Sequence, residues 1–145
     1  MYKHILIPTD GSETAQLAVD QGIDFAKEVG ARITALSVYP PYDYLALTDE
    51  LVPESEIENA EKAKEYALKL LASVAALASA KGVICQTVVA ESEHPSDEII
   101  KAANEHDCDL IAMSSHGRRG LSGLFIGSET QKVMTHTTIP MLVFR

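Results

Sequence analysis

The sequence predicts an α/β fold: a single domain, residues 1–145, built as a doubly wound, five-stranded parallel sheet with helices on both faces. Short apolar runs alternate along the chain with segments of helical period, and strands that alternate with helices run parallel through right-handed crossovers. The second run, Ile33 to Tyr39 (ITALSVY), is more apolar than a strand with one wet face needs, so both its faces are expected to be covered. A length of 145 residues with 46% hydrophobic content supplies one core and leaves no material for a second domain.

Each element follows from local chemistry. Lys3 to Pro8 (KHILIP) is an apolar run closed by proline, and Asp10-Gly11-Ser12 turns the chain into a helix. Ala15, Ala18, Gly22, Phe25 or Ala26, and Val29 mark its inner face, and Gly30 stops it. After the strand at Ile33 to Tyr39, the proline-bracketed stretch Pro40 to Pro53 reads as a long loop, either a lid over a binding site or a surface connection. Glu54 to Lys81 is the longest helical pattern. Its inner face runs through Ile57, Ala60, Ala63, Ala67, Leu70 or Leu71, Val74, and Leu77 or Ala78. Val83 to Ala90 is the third strand, and a helix with Pro95 in its first turn runs to about Glu105. Leu110 to Met113 is the fourth strand, Ser128 to about His136 the last helix, and Pro140 to Phe144 the fifth strand.

Charge and composition remove several functional classes. A formal net charge of −9 is wrong for a nucleic-acid binder, which must neutralise phosphates with Lys and Arg. No apolar stretch approaches the roughly 18 to 20 residues of a membrane-spanning helix, so no membrane span is expected. The N-terminal MYKHILIPTDGS lacks the layout of an export signal, and a cytoplasmic location follows as the expectation. Cys85 and Cys108 form no Cys-x-x-Cys pair, and the five histidines have no ligand-like spacing, which argues against structural zinc and against a disulfide.

The chemistry concentrates after the fourth strand. Gly117, Gly120, Gly123 and Gly127 fall within SHGRRGLSGLFIGSETQ, with the basic pair Arg118 and Arg119 among them. Glycine admits the backbone N–H to a phosphate without a Cβ in the way. Ser128 to Gln131 matches a capping box with Ser128 as N-cap, so a helix N-terminus able to hold an anion is expected beside Gly127. The alternative is a loop and a cap with no ligand. The segment is not a P-loop, lacking Gly-Lys-Ser or Gly-Lys-Thr, nor a dinucleotide fingerprint, which follows a first strand. After the first strand stand Pro8, Thr9 and Asp10, whose carboxylate is placed to accept from a base or ribose. In open parallel sheets ligands bind beyond the carboxyl ends of the strands where strand order reverses, so these two loops are the place to look. A two-component receiver domain is excluded by Val88-Val89-Ala90-Glu91, which puts no aspartate at the end of the third strand.

The opening KHILIPTDGS, the segment Met113-Ser114-Ser115-His116-Gly117, and Gly127-Ser128 spaced nine residues beyond Gly117 together resemble the universal stress proteins of the UspA type, over the whole chain. The resemblance implies an adenine nucleotide alpha hydrolase-like fold and, in its nucleotide-binding branch, ATP or AMP as ligand, with or without Mg2+. It implies that Pro8, Thr9, Asp10 and Val38 surround the adenine, that Met113, Ser114 and Gly117 approach the ribose and phosphates, and that Gly127, Ser128 and Thr130 hold the phosphate tail. Ser114 departs from that branch's first glycine, and Glu129 stands where relatives carry a small apolar residue. Both leave open a stress protein of the same fold that binds no nucleotide and works through dimerisation and protein contacts. The resemblance further implies a regulatory role in the stress response and a homodimer through Pro140 to Arg145. It permits at most a slow ATPase; His116, beside the Gly-rich loop, is the one candidate acid or base, and no catalytic set can be assembled from spacing.

Overall fold

The computed structural model describes residues 1–41, 54–116 and 126–145, the side chains of 54–60 excepted. The expected order is found: β1 (His4–Pro8), α1 (Glu13–Val29), β2 (Arg32–Tyr39), α2 (Glu54–Ala80), β3 (Cys85–Glu91), α3 (Pro95–Glu105), β4 (Leu110–Ser114), α4 (Ser128–His136) and β5 (Met141–Phe144). All strand pairs are parallel, in the order β3-β2-β1-β4-β5. The order reverses at β1, which pairs with β2 on one side (Pro8 opposite Leu36) and with β4 on the other (Leu6 opposite Ile111). The loops after β1 and β4 therefore leave the same edge of the sheet on either side of a crevice.

Two cores sandwich the sheet, and the alternation of β1 divides them. Ile5 and Ile7 face α1 and α2 with Val19, Ile23, Leu71 and Val74. Leu6 faces the other way, with Leu36, Ile99, Ile111, Met113 and Val133. Period-two side chains with both faces covered favour apolar residues in mid-strand, which is why these strands read as apolar runs. On the inner face of α2, Ala67, Leu71, Val74 and Ala78 are buried as expected and Ala63 is half-buried, while the side chains of Ile57 and Ala60 lie outside the described residues. That of α1 is shifted: Ala15, Ala18, Val19, Gly22, Ile23 and Ala26 are buried, whereas Val29, expected inside, is 37% exposed. Gly30, with a φ of 71°, ends the helix in the left-handed conformation. A Cβ on Gly22 would lie 2.8 Å from Ile7 Cδ1, so any larger residue there requires the end of the Ile7 side chain to move.

At the amino ends of the strands a polar group interrupts the second core. His4, 3% exposed, shares a 2.6 Å hydrogen bond between Nε2 and Thr34 Oγ1, while its Nδ1 is buried with no partner. Burial, and next the nearby Arg32, hold its pKa below the ordinary 6.5. Beside it Cys108 is a free, buried thiol whose pKa burial pushes up to about 11, so it packs as a small hydrophobe. Cys85 is likewise a free thiol.

Because folded His4 resists protonation, the unfolded chain binds the extra proton first, and stability is complete above pH 6.5 and falls as pH drops below it. Urea denaturation between pH 7 and pH 5 should show the wild type losing stability more steeply than His4→Gln. Equal slopes would assign the acid sensitivity to other groups.

Candidate functional site

The carboxyl edge of the sheet gathers three of the predicted segments. Pro8 closes β1, and the chain stays tied to β2 for one residue more, Thr9 N donating to Leu36 O at 2.8 Å with the Thr9 side chain buried. The turn is then built from local acceptors. Thr9 Oγ1 accepts from Gly11 N at 3.2 Å, and Asp10 Oδ1 accepts from Ser12 N at 2.9 Å. Ser12 caps α1, its hydroxyl accepting from Ala15 N at 3.2 Å. Asp10 is thus fixed by its own turn at the mouth of the crevice. Gly11 has a φ of 80°, and a Cβ there would run into the Tyr66 hydroxyl and lie 3.1 Å from the Leu70 methyls. Tyr66 of α2 is therefore a neighbour of this turn that the sequence did not reveal.

Across the crevice, β4 ends in Met113 and Ser114, both buried, and the chain is pinned from several sides. Ser115 N donates to Phe144 O at 2.7 Å, extending the β4–β5 ladder by one bond. The Ser114 hydroxyl donates to His116 O at 2.5 Å, and the Thr14 hydroxyl of α1 donates to the same carbonyl at 2.8 Å. This second bond joins residues 102 apart in sequence and fastens the β1 turn to the loop after β4. The Ser115 hydroxyl shares a 2.8 Å hydrogen bond with His116 Nδ1, whereas Nε2 is buried without a partner. Val38 lies two residues beyond Leu36 on β2 and packs, with Met113, on the α3–α4 side of the sheet.

The start of α4 closes the arrangement. Gly127 N donates to Ser115 O at 2.5 Å, and the buried Thr130 hydroxyl donates to Ser114 O at 2.7 Å, so the helix begins directly against the end of β4. The capping box expected at Ser128 does not form. The N-cap is Gly127, no side chain caps the helix, and the first helical bond runs from Gln131 N to Gly127 O at 3.0 Å. Ser128 instead lies in the first turn. The reason is that the two bonds to the end of β4 place the helix start one residue earlier than the local pattern suggests. The N–H groups of Ser128, Glu129 and Thr130 thus stand ahead of the first helical bond, at the positive end of the helix dipole. Gly117, with Arg118, Arg119, Gly120 and Gly123, lies outside the described residues, as does the Pro40–Pro53 segment from residue 42 onward.

Glu129 turns away from this end. Its Oε2 accepts from Ser96 N at 3.0 Å, in the first turn of α3, and its Oε1 meets Lys132 Nζ at 3.2 Å. The N-cap of α3, His94, makes no capping bond of its own, so Glu129 supplies one from a neighbouring helix. Sequence reasoning missed this role, as it missed Thr14, because both partners are distant in the chain.

These features define a doubly wound α/β protein with a polar crevice at its topological switch point and an uncapped helix N-terminus beside it. A profile of the universal stress protein family matches residues 1–145, and the chain belongs to that family. It is 33% identical to the universal stress protein YxiE of Bacillus subtilis over 153 residues, covering all of both chains. Among solved structures, the protein MJ0577 of Methanocaldococcus jannaschii superposes with a TM-score of 0.81 at 29% identity, covering 99% of this chain and 95% of that one. The fold is shared with a universal stress protein solved in complex with cAMP (TM-score 0.71, 22% identity, 99% and 97% covered). It is shared too with one from Archaeoglobus fulgidus solved with dAMP (TM-score 0.65, 17% identity, 99% and 98% covered).

Replacing Glu129 with alanine should remove the acceptor for Ser96 N and destabilise the fold by about 1 kcal/mol, the usual worth of a helix cap. Urea midpoints of Glu129→Ala and wild type measure the difference. An unchanged midpoint would mean that solvent caps α3 equally well.

Proposed function

We propose that the crevice binds an adenine nucleotide, ATP or AMP, and that occupancy makes this universal stress protein a regulator of the stress response in the cytoplasm. The observation that carries the reading is the uncapped start of α4, whose N–H groups on Ser128, Glu129 and Thr130 adjoin the end of β4 across from Asp10. Such an N-terminus favours a phosphate by its donors and by its dipole. Two other proteins of this fold have been solved in complex with cAMP and dAMP, which supports an adenine nucleotide as the class of ligand.

In this reading Pro8, Thr9, Asp10 and Val38 border the adenine side, Met113, Ser114 and Gly117 the ribose, and Gly127, Ser128 and Thr130 the phosphates. The Thr130 hydroxyl is given to Ser114 O, so Thr130 serves through its backbone N–H. The two departures from the nucleotide-binding pattern do little harm. The Ser114 hydroxyl is held by the His116 carbonyl, and the Glu129 carboxylate points to α3 and Lys132. Where Mg2+ accompanies ATP it would neutralise phosphate charge.

The wild type, warmed with ATP and Mg2+, should melt at a higher temperature than without them, because a ligand that binds only the native state stabilises it. Gly127→Val should keep the fold and lose that shift, its branched side chain filling the approach to the α4 N-terminus. An undiminished shift in a folded Gly127→Val protein would remove the phosphate from this place.

Dimerisation is part of the proposal. β5 pairs with β4 on one side only, and Met141 to Phe144 are all half-buried apolar residues on that edge. Pairing Pro140 to Arg145 with the same segment of a second copy would satisfy the open ladder and cover the edge. Sedimentation equilibrium should then give twice the 15.7 kDa protomer mass, and a protomer mass at micromolar concentration would refute the pairing.

A further inference from the structure

The opposite edge of the sheet, at the amino ends of the strands, holds an open cleft of about 340 Å³ that the nucleotide reading does not use. Its rim carries Lys3 before β1, Lys27 in the last turn of α1, and Arg32 at the start of β2. All three are exposed, and among the described residues the ion pairs are Lys81–Asp24 and Lys132–Glu129, so none of the three side chains is in an ion pair; the nearby Asp109 carboxylate accepts from Lys3 N at 2.9 Å. No Asp or Glu lines the cleft, although acidic residues outnumber basic ones 21 to 12 in the chain. Three like charges gathered in a concave site repel one another and raise the local concentration of anions.

The remaining walls are apolar and fixed by main-chain bonds. Ala26, Ala31 and Val83 are buried at the floor, and Ile84 stands 76% exposed beside it. Two of the last α1 carbonyls are occupied: Ala31 N donates to Ala26 O at 2.9 Å and Gly30 N to Lys27 O at 3.4 Å. Arg32 N donates to Lys3 O at 3.0 Å and Ile33 N to Ile84 O at 2.9 Å, holding the three strand entries together. Gly30 and Gly82 have φ of 71° and 77°, and a Cβ on either would meet nothing within 4 Å, so both turns border open space. A concave site with an apolar floor and a few converging charges is the usual form of a small-molecule site.

We propose that this cleft is a second ligand site, which takes a phosphate monoester with a small apolar body: the dianion lies among Lys3, Lys27 and Arg32, and the apolar part lies on Ile84 and Val83. The inference is independent of the nucleotide crevice, which lies at the other end of the strands. Phenyl phosphate is the probe, titrated into the 15N-labelled full chain at low salt and followed by amide shifts. Saturable shifts at Gly30, Ala31, Arg32, Gly82 and Ile84 are expected, together with loss of binding as NaCl screens the charges. The triple variant Lys3→Ala, Lys27→Ala, Arg32→Ala should bind at least about tenfold more weakly, since it removes the charge-assisted contacts. Should that variant not fold, Lys27→Glu alone carries the comparison. Shifts confined to Gly127 to Thr130 would place the anion in the nucleotide crevice and overturn the proposal. It is overturned equally by an absence of saturable shifts, by unchanged affinity in the variant, or by equal binding of uncharged benzyl alcohol.

Discussion

The bond from the Thr14 hydroxyl to the His116 carbonyl holds the crevice in shape. Parallel pairing of β1 with β4 brings the two loops to the same edge, but pairing alone leaves them free to splay. With Thr14 and Ser114 donating to one carbonyl, the first turn of α1 and the chain after β4 become one unit. Thr130 and Gly127 then attach the start of α4 to that unit through the carbonyls of Ser114 and Ser115. Every one of these donors is a hydroxyl or main-chain N–H, and among the described residues no side chain caps the helix end.

That arrangement explains why the side chains that looked troublesome for an anion are harmless. Glu129 would repel a phosphate if it faced one, yet the orphan N–H groups at the start of α3 attract its carboxylate more directly. The acid on one helix completes the cap of another, and α3 and α4 are joined along the face that also buries Ile99 and Val133. Ser114 follows the same logic: its hydroxyl satisfies a carbonyl within the loop and does not project into the crevice as a free group.

The two ends of the sheet have different chemistry. At the carboxyl ends the groups presented are N–H donors, hydroxyls and one aspartate, a neutral-to-polar surface shaped by main chain. At the amino ends, three cations ring an apolar floor, and the buried His4 sits just behind Arg32, which helps keep it uncharged. A chain of net charge −9 therefore has a strongly uneven surface, its excess acid lying elsewhere.

The sequence by itself determined what depends on near neighbours. Alternating β1 residues, apolar strands, helix period and stop glycines are read over a few positions, and the nine elements emerged within a residue or two of their expected bounds. The Asp10-Gly11-Ser12 turn was equally legible, because its hydrogen bonds span two or three residues. Tertiary structure decided the rest. The N-cap moved from Ser128 to Gly127 because Ser114 and Ser115 hold the helix start, and the buried face of α1 runs through Val19, Ile23 and Ala26 and leaves Val29 exposed. The partners Thr14 with His116, Ser96 with Glu129 and Gly11 with Tyr66 are set by how layers stack, and stacking leaves no periodic trace in the chain.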